Sequence, residues 1–296
     1  MDEEGVVLNA MALIACIAMA LFYVAILYAP TFLLRLPPPS SFETYMIRRF
    51  LCAIVSSILS LFLSVLILPV QTKELHHIVG VFGIRRDHIW QAVILPLCLT
   101  SLMYAGSIFD KCLLLLASWR QHASSGDALS FDYYKIALHQ FLDWLSEISS
   151  NILVWRNYVV APLTEELVFR ACMIPLLLCG GFKTYSVTLL CPIFFSLGLQ
   201  LGYTVVFGSY ASFLFIRTGH LVAPLVAHIF CNFMGLPVLY SQRSRIVSVT
   251  FIIGFLGFLW LLFPMTGPDL YNDRIDNCSC WQGYCTWRER IRMPQM

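Results

Sequence analysis

The sequence is poor in charge. Only 12% of its 296 residues are Asp, Glu, Lys or Arg, against about 25% in a soluble domain. Hydrophobic residues make up 59% and the mean hydropathy is +0.76. Uncharged runs recur along the whole chain, which excludes a soluble domain and equally a soluble domain with one anchor. The net charge of +2 gives no basic surface for nucleic acid. No His-Glu-x-x-His helix occurs, so the sequence lacks that zinc-protease ligand set. The 11 Cys form no secreted disulfide framework and sit mostly in apolar segments as small core residues. Cys278, Cys280 and Cys285 cluster near the end, one ligand short of a structural zinc site. Met1 to Glu4 is acidic and lacks the basic start of a cleaved leader, so the following run reads as an uncleaved span. No internal repeat is evident, and a transporter would want one or a matched pair of half-helices.

What is present is a series of apolar runs. Gly5 to Thr31, Phe50 to Gln71, His88 to Phe109, Gly219 to Tyr240 and Val247 to Met265 each approach or exceed the roughly 20 helical residues that cross a bilayer. Ile152 to Cys179 adds a span that carries charge. Tyr133 to Ser149 mixes apolar residues with Lys135, His139, Asp143 and Glu147, the pattern of an amphipathic helix at an interface. Thr184 to Ile216 is uncharged for 33 residues, too long for one untilted span and too short for two plus a turn. The expected architecture is an all-α, polytopic transmembrane helical bundle of about seven to eight spans around an intramembrane cavity. It forms one integral-membrane domain over residues 1–296 with its core at 133–240, and residues 268–296 form a polar tail. Basic residues fall in loops on both sides of successive spans and set no orientation. Asn277-Cys278-Ser279 is a formal glycosylation sequon.

Two polar motifs lie inside this apolar chain. The first is Ala161-Pro162-Leu163-Thr164-Glu165-Glu166-Leu167-Val168-Phe169-Arg170. Charges within membrane helices are expensive and face interiors or water-filled cavities. Pro162 and Thr164 read as a helix start. Glu166 and Arg170 are four apart with Glu first, the favourable order for an ion pair, and Glu165 points about 100° away around the axis. Glu165 is therefore either a helix-start charge at the membrane surface or a free carboxylate available for chemistry. The second motif is His228 and Asn232, which share one helix face. They are either hydrogen-bonding glue between helices or, opposite a free carboxylate, donors for a developing oxyanion. His220, near a membrane boundary, reads as an interfacial histidine. Glu165 and His228 supply only two metal ligands where a catalytic zinc needs three, so no cofactor is expected.

Glu165-Glu166-Leu-Val-Phe-Arg170, Phe213-Leu-Phe-Ile-Arg-Thr-Gly-His220 and His228-Ile-Phe-Cys-Asn232 resemble the type II CAAX prenyl endopeptidases, the Ras-converting proteases of the wider CAAX protease and bacteriocin-processing family. Cys191 to Gly198 and Leu236 to Tyr240 look plant-like. The resemblance implies a multi-pass protein of the endoplasmic reticulum membrane that removes the last three residues after a prenylated cysteine. Its partners would be prenylated CAAX proteins such as small GTPases, together with the lipid bilayer. It implies that Glu165 activates water without a metal, that Glu166 and Arg170 support it, and that His228 and Asn232 stabilise the oxyanion. One element departs from the family. Members carry a Phe-x-x-x-His histidine between the two motifs, whereas here no His lies between Glu165 and His220. The 33-residue run then looks like two spans fused by a deletion after Gly198. This leaves two readings, an active endopeptidase or a catalytically impaired isoform that binds prenylated tails.

Overall fold

The computed structural model describes residues 3–32, 35, 37–68, 79–123, 150–196, 201–237 and 245–271. Among these every regular element is helical. We name α1 (Glu3–Ile26), α2 (Phe42–Ile67), α3 (Ile89–Met103), α4 (Ala105–Ala123), α5 (residues 152–179), α6 (Thr184–Ser196), α7 (Leu201–Thr218), α8 (Val222–Met234) and α9 (Arg245–Leu261). The amphipathic segment expected at Tyr133 to Ser149, the residues 197–200 that follow α6, and the tail cysteines and sequon lie outside the described residues.

The helices are built as membrane helices are. On α2 the buried positions are Met46, Ala53, Ser56, Ser57, Ser60 and Ser64, a small and weakly polar stripe. Its outward positions include Leu51, Ile58, Phe62 and Leu66, all more than half exposed. Small residues let helix backbones approach where there is no water to drive burial. Ser41 caps the α2 N-terminus, accepting from the Thr44 amide at 3.2 Å. The helix starts before the expected boundary at Phe50, so Arg48 and Arg49 lie within it. On α1 the buried stripe is Ala12, Cys16, Met19, Ala20 and Tyr23, spaced as one face of a helix.

α1 and α2 are long and apolar enough to cross a membrane. The run at 88–109 is not one straight rod. α3 ends at Met103 with Tyr104 at the bend, and α4 leaves at 81°. α9 crosses at this bend on Gly254, where an added Cβ would lie 2.3 Å from the Leu102 carbonyl oxygen.

α5 is the central rod. From Val168 to Leu177 every residue is buried, so this stretch is apolar around nearly its whole circumference, as a core helix must be. α1, α2 and α6 pack around it. A second cluster of Leu99, Leu214, Ala227 and Phe258 joins α3, α7, α8 and α9. The 33-residue run folds as two short helices, α6 and α7, packed along each other. Gly208 makes their contact possible, since a Cβ there would lie 2.5 Å from the Cβ of Pro192.

Candidate active site

The acidic motif does not open a helix. Asn151 caps the start of α5, its side chain accepting from the Leu153 amide at 2.9 Å. Backbone dihedrals then stay helical through the motif. Pro162 is tolerated inside because the register changes around it. Residues Arg156–Val160 form a π-turn, Ala161–Glu166 an α segment, and Leu167–Cys172 a second π-turn. π-turns within α-helices are uncommon and often accompany functional sites.

The register change has a local consequence. The Ala161 amide bonds to the Arg156 carbonyl, five residues back. In the same register the partner of the Asn157 carbonyl is position 162, a proline without an N–H. The donor comes instead from α8, where Asn232 Nδ2 bonds the Asn157 oxygen at 2.7 Å. Thr164 is fixed in a similar way. Its hydroxyl donates to the Val160 carbonyl at 2.7 Å, so the Tyr23 hydroxyl of α1, 3.0 Å away, donates to it.

Glu166 is fully buried, hydrogen-bonded at one oxygen and ion-paired, without hydrogen-bond geometry, at the other. Oε1 meets His228 Nδ1 at 2.7 Å, and Oε2 lies 3.2 Å from Arg170 Nε. Arg170 in turn reaches the Gly208 carbonyl of α7 at 3.4 Å. The expected Glu166–Arg170 pair is thus present, and it extends into a chain from α7 through α5 to α8. Glu165 is the more open carboxylate. Its side chain is 20% exposed, and Oε2 stands 3.9 Å from His228 Nε2. The two glutamates therefore flank one imidazole, Glu166 on Nδ1 and Glu165 on Nε2, with the Phe207 ring 5.1 Å from the imidazole ring. Sequence reasoning assigned Glu166 to Arg170 alone and missed the His228 contact, Tyr23 and Asn157. Pro162 was the available signal for Asn157, because an interior proline always strips a carbonyl of its donor.

Among the described residues no group of three or more potential ligands is arranged to hold a metal ion. The guanidinium against Glu166 also opposes a cation there. His220 lies elsewhere, fully buried in the turn between α7 and α8. Its amide donates to Thr218 Oγ1 at 3.2 Å and its ring stands 6.4 Å from that of Tyr271. Burial, helped by the Arg85 charge, pushes its imidazole down to about 4.

The fold and this cluster define a class, an all-helical membrane protein whose interior holds two glutamates against a histidine. Comparison with known proteins narrows it. A profile for the family "Type II CAAX prenyl endopeptidase Rce1-like" matches residues 147–234, the stretch that contains the cluster. CAAX prenyl protease 2 of Arabidopsis thaliana is 51% identical, covering 97% of this chain and 99% of its own. The Homo sapiens protein of the same name is 33% identical over 87% of this chain and 82% of its own. No solved structure matches. The chain belongs to the type II CAAX prenyl endopeptidase family, which makes it a membrane protease by descent. The Arabidopsis alignment runs over 310 positions, more than the 296 residues present here, so that relative has residues opposite gaps in this chain.

Proposed function

We propose that this chain is an endopeptidase that removes the C-terminal tripeptide from prenylated CAAX proteins, small GTPases among them. It acts as a single multi-pass domain of the endoplasmic reticulum membrane, with about seven to eight spans and the core at 133–240. The observation that carries this reading is the approach of Glu165 to His228, 3.9 Å apart on α5 and α8. Glu165 removes a proton from water, and the resulting hydroxide attacks the scissile carbonyl carbon. The second N–H of Asn232 donates to the oxygen as it becomes negative, and His228 Nε2 does so in the ring form that carries a proton on both nitrogens, its Nδ1–H on Glu166. When the tetrahedral species collapses, Glu165 passes its proton to the leaving nitrogen. The products are a free tripeptide and a prenylcysteine carboxylate. Glu166 positions rather than reacts. By holding Nδ1 it fixes the ring so that Nε2 is the atom presented to substrate, and Arg170 keeps Glu166 charged in the interior.

The test is cleavage of a farnesylated C-terminal peptide by the purified chain. The expected outcome is tripeptide release that a metal chelator does not reduce and that Glu165→Ala lowers by about 10²–10⁴-fold. Equal release by both proteins would remove Glu165 from catalysis. A specific observation favours a second reading. The family's Phe-x-x-x-His histidine has no counterpart between Glu165 and His220 here, and we infer a deletion after Gly198, with which a gapped alignment is compatible. Retained binding of the farnesylated peptide without release would assign the chain to that reading, an impaired isoform that holds prenylated tails.

A further inference from the structure

A pocket of about 320 Å³ opens beside the cluster, on another face of α8. Leu97 of α3, Tyr158 of α5, and Val226, Ile229, Phe230 and Phe233 of α8 line it. Nothing ionisable but the Tyr158 phenol is among them. Its volume is at the lower end for a small-ligand site. Two of its walls are the immediate neighbours of residues that build the cluster. Tyr158 follows Asn157, and Phe233 follows Asn232, the two residues joined by the 2.7 Å bond. The rings of Tyr158 and Phe233 lie 6.3 Å apart. Among the described residues one cation stands over this wall. Lys111 of α4 places its Nζ 5.5 Å from the Phe233 ring centroid and 3.7 Å from Met234 Sδ. The lysine is exposed, and among the described residues no carboxylate pairs with it. The bend at Tyr104 fixes this arrangement, because the Tyr104 hydroxyl donates to the Gly235 carbonyl at the end of α8 (2.8 Å).

The geometry points to a subsite for the C-terminal residue of the substrate, with its apolar side chain in the pocket and its α-carboxylate on Lys111. An isoprenoid chain would fill the apolar walls but would give the ammonium no partner. A peptide C-terminus of aliphatic or aromatic type satisfies both. Three extended residues span about 10 Å, and the assignment places the scissile bond toward His228 and the carboxylate toward Lys111. The assignment rests on the proposed endopeptidase reading, and it fixes which end of the substrate lies toward α4.

The test compares binding of two farnesylated peptides to the purified full chain, identical except for a free C-terminal carboxylate or a C-terminal amide. The wild-type chain is expected to bind the acid about fivefold more tightly than the amide, the range of a partly exposed ion pair. Lys111→Met is expected to abolish that preference and Lys111→Arg to keep it. Because Lys111 is exposed, both variants are expected to fold. Equal binding of acid and amide by the wild type, or a preference that survives Lys111→Met, would overturn the subsite while leaving the endopeptidase reading intact. No binding of either farnesylated peptide would remove that reading and the subsite with it. If Phe233→Ala instead cancels the gain in affinity due to the farnesyl group and keeps the acid preference, the pocket holds the prenyl chain and the assignment fails.

Discussion

His220 and His228 lie eight residues apart in the sequence and in opposite circumstances. His228 is a membrane-helix residue with a carboxylate on each side of its ring, and 12% of its side chain is exposed. His220 sits in a turn, wholly buried, packed near the Tyr271 ring. The charges of Arg85 and Asp87 reach it from nearby and act in opposite directions, the first opposing and the second favouring a proton on the ring. The comparison shows that burial by itself does not give a histidine charged partners. What separates the two is close carboxylate contact at both ring nitrogens and an open side. Burial alone turns an imidazole into a small aromatic that resists protonation, whereas flanking carboxylates and partial access suit one to proton handling.

The difference can be attacked from both ends. The largest effect is expected on the His228 side. Arg170→Met leaves the Glu166 carboxylate buried with half its support, and should destabilise the fold by about 3–5 kcal/mol. Thermal unfolding of the detergent-solubilised chain measures this, and a change below about 1 kcal/mol would mean that Glu166 does not depend on Arg170. Next comes the chemistry. His228→Ala should lower tripeptide release by about 10²–10³-fold, while His220→Phe should leave the rate within about twofold of wild type once folded protein is equalised. A comparable loss in both would erase the distinction.

Acid provides a subtler probe. The His220 imidazole titrates at about 4 in the folded chain, against an ordinary value of 6.5. Between those values the unfolded chain binds more protons than the folded one, so stability rises with pH across that window. The His220 contribution is complete above about pH 6.5 and is lost as pH falls toward 4. His220→Phe should therefore flatten the acid limb of a plot of melting temperature against pH. An unchanged limb would place the acid sensitivity elsewhere. The smallest effect is expected for Tyr23→Phe, which removes one buried hydrogen bond to Thr164 and should cost about 1 kcal/mol.

Much of this was legible in the sequence, for identifiable reasons. The helical class and the membrane location follow from the rarity of charge. The Glu166–Arg170 pair follows from i, i+4 spacing, which survives even though a π-turn begins just after Glu166. Other features were hidden because they depend on packing between distant segments. Nothing local indicates that Tyr23 meets Thr164, 141 positions away. The motif reads as a helix start because proline and threonine favour that position, but the chain instead accommodates Pro162 in a rod that begins at Asn151. The 33-residue run looked like two fused spans, but the sequence left open whether it folds as one tilted helix or two short ones. Two short helices form, and Gly208 against Pro192 lets them pack closely. The 81° bend at Tyr104 was equally open from sequence, since His88 to Phe109 is apolar without a break.

The central claim is that Glu165, beside a His228 positioned by Glu166, is the group that activates water. The most direct measurement is tripeptide release from a farnesylated peptide by wild-type and Glu165→Gln chains reconstituted in parallel, with His220→Phe as the control for folding. The account predicts release by the wild type and by His220→Phe, and a loss of about 10²-fold or more in Glu165→Gln. Release by Glu165→Gln at the wild-type rate would contradict it.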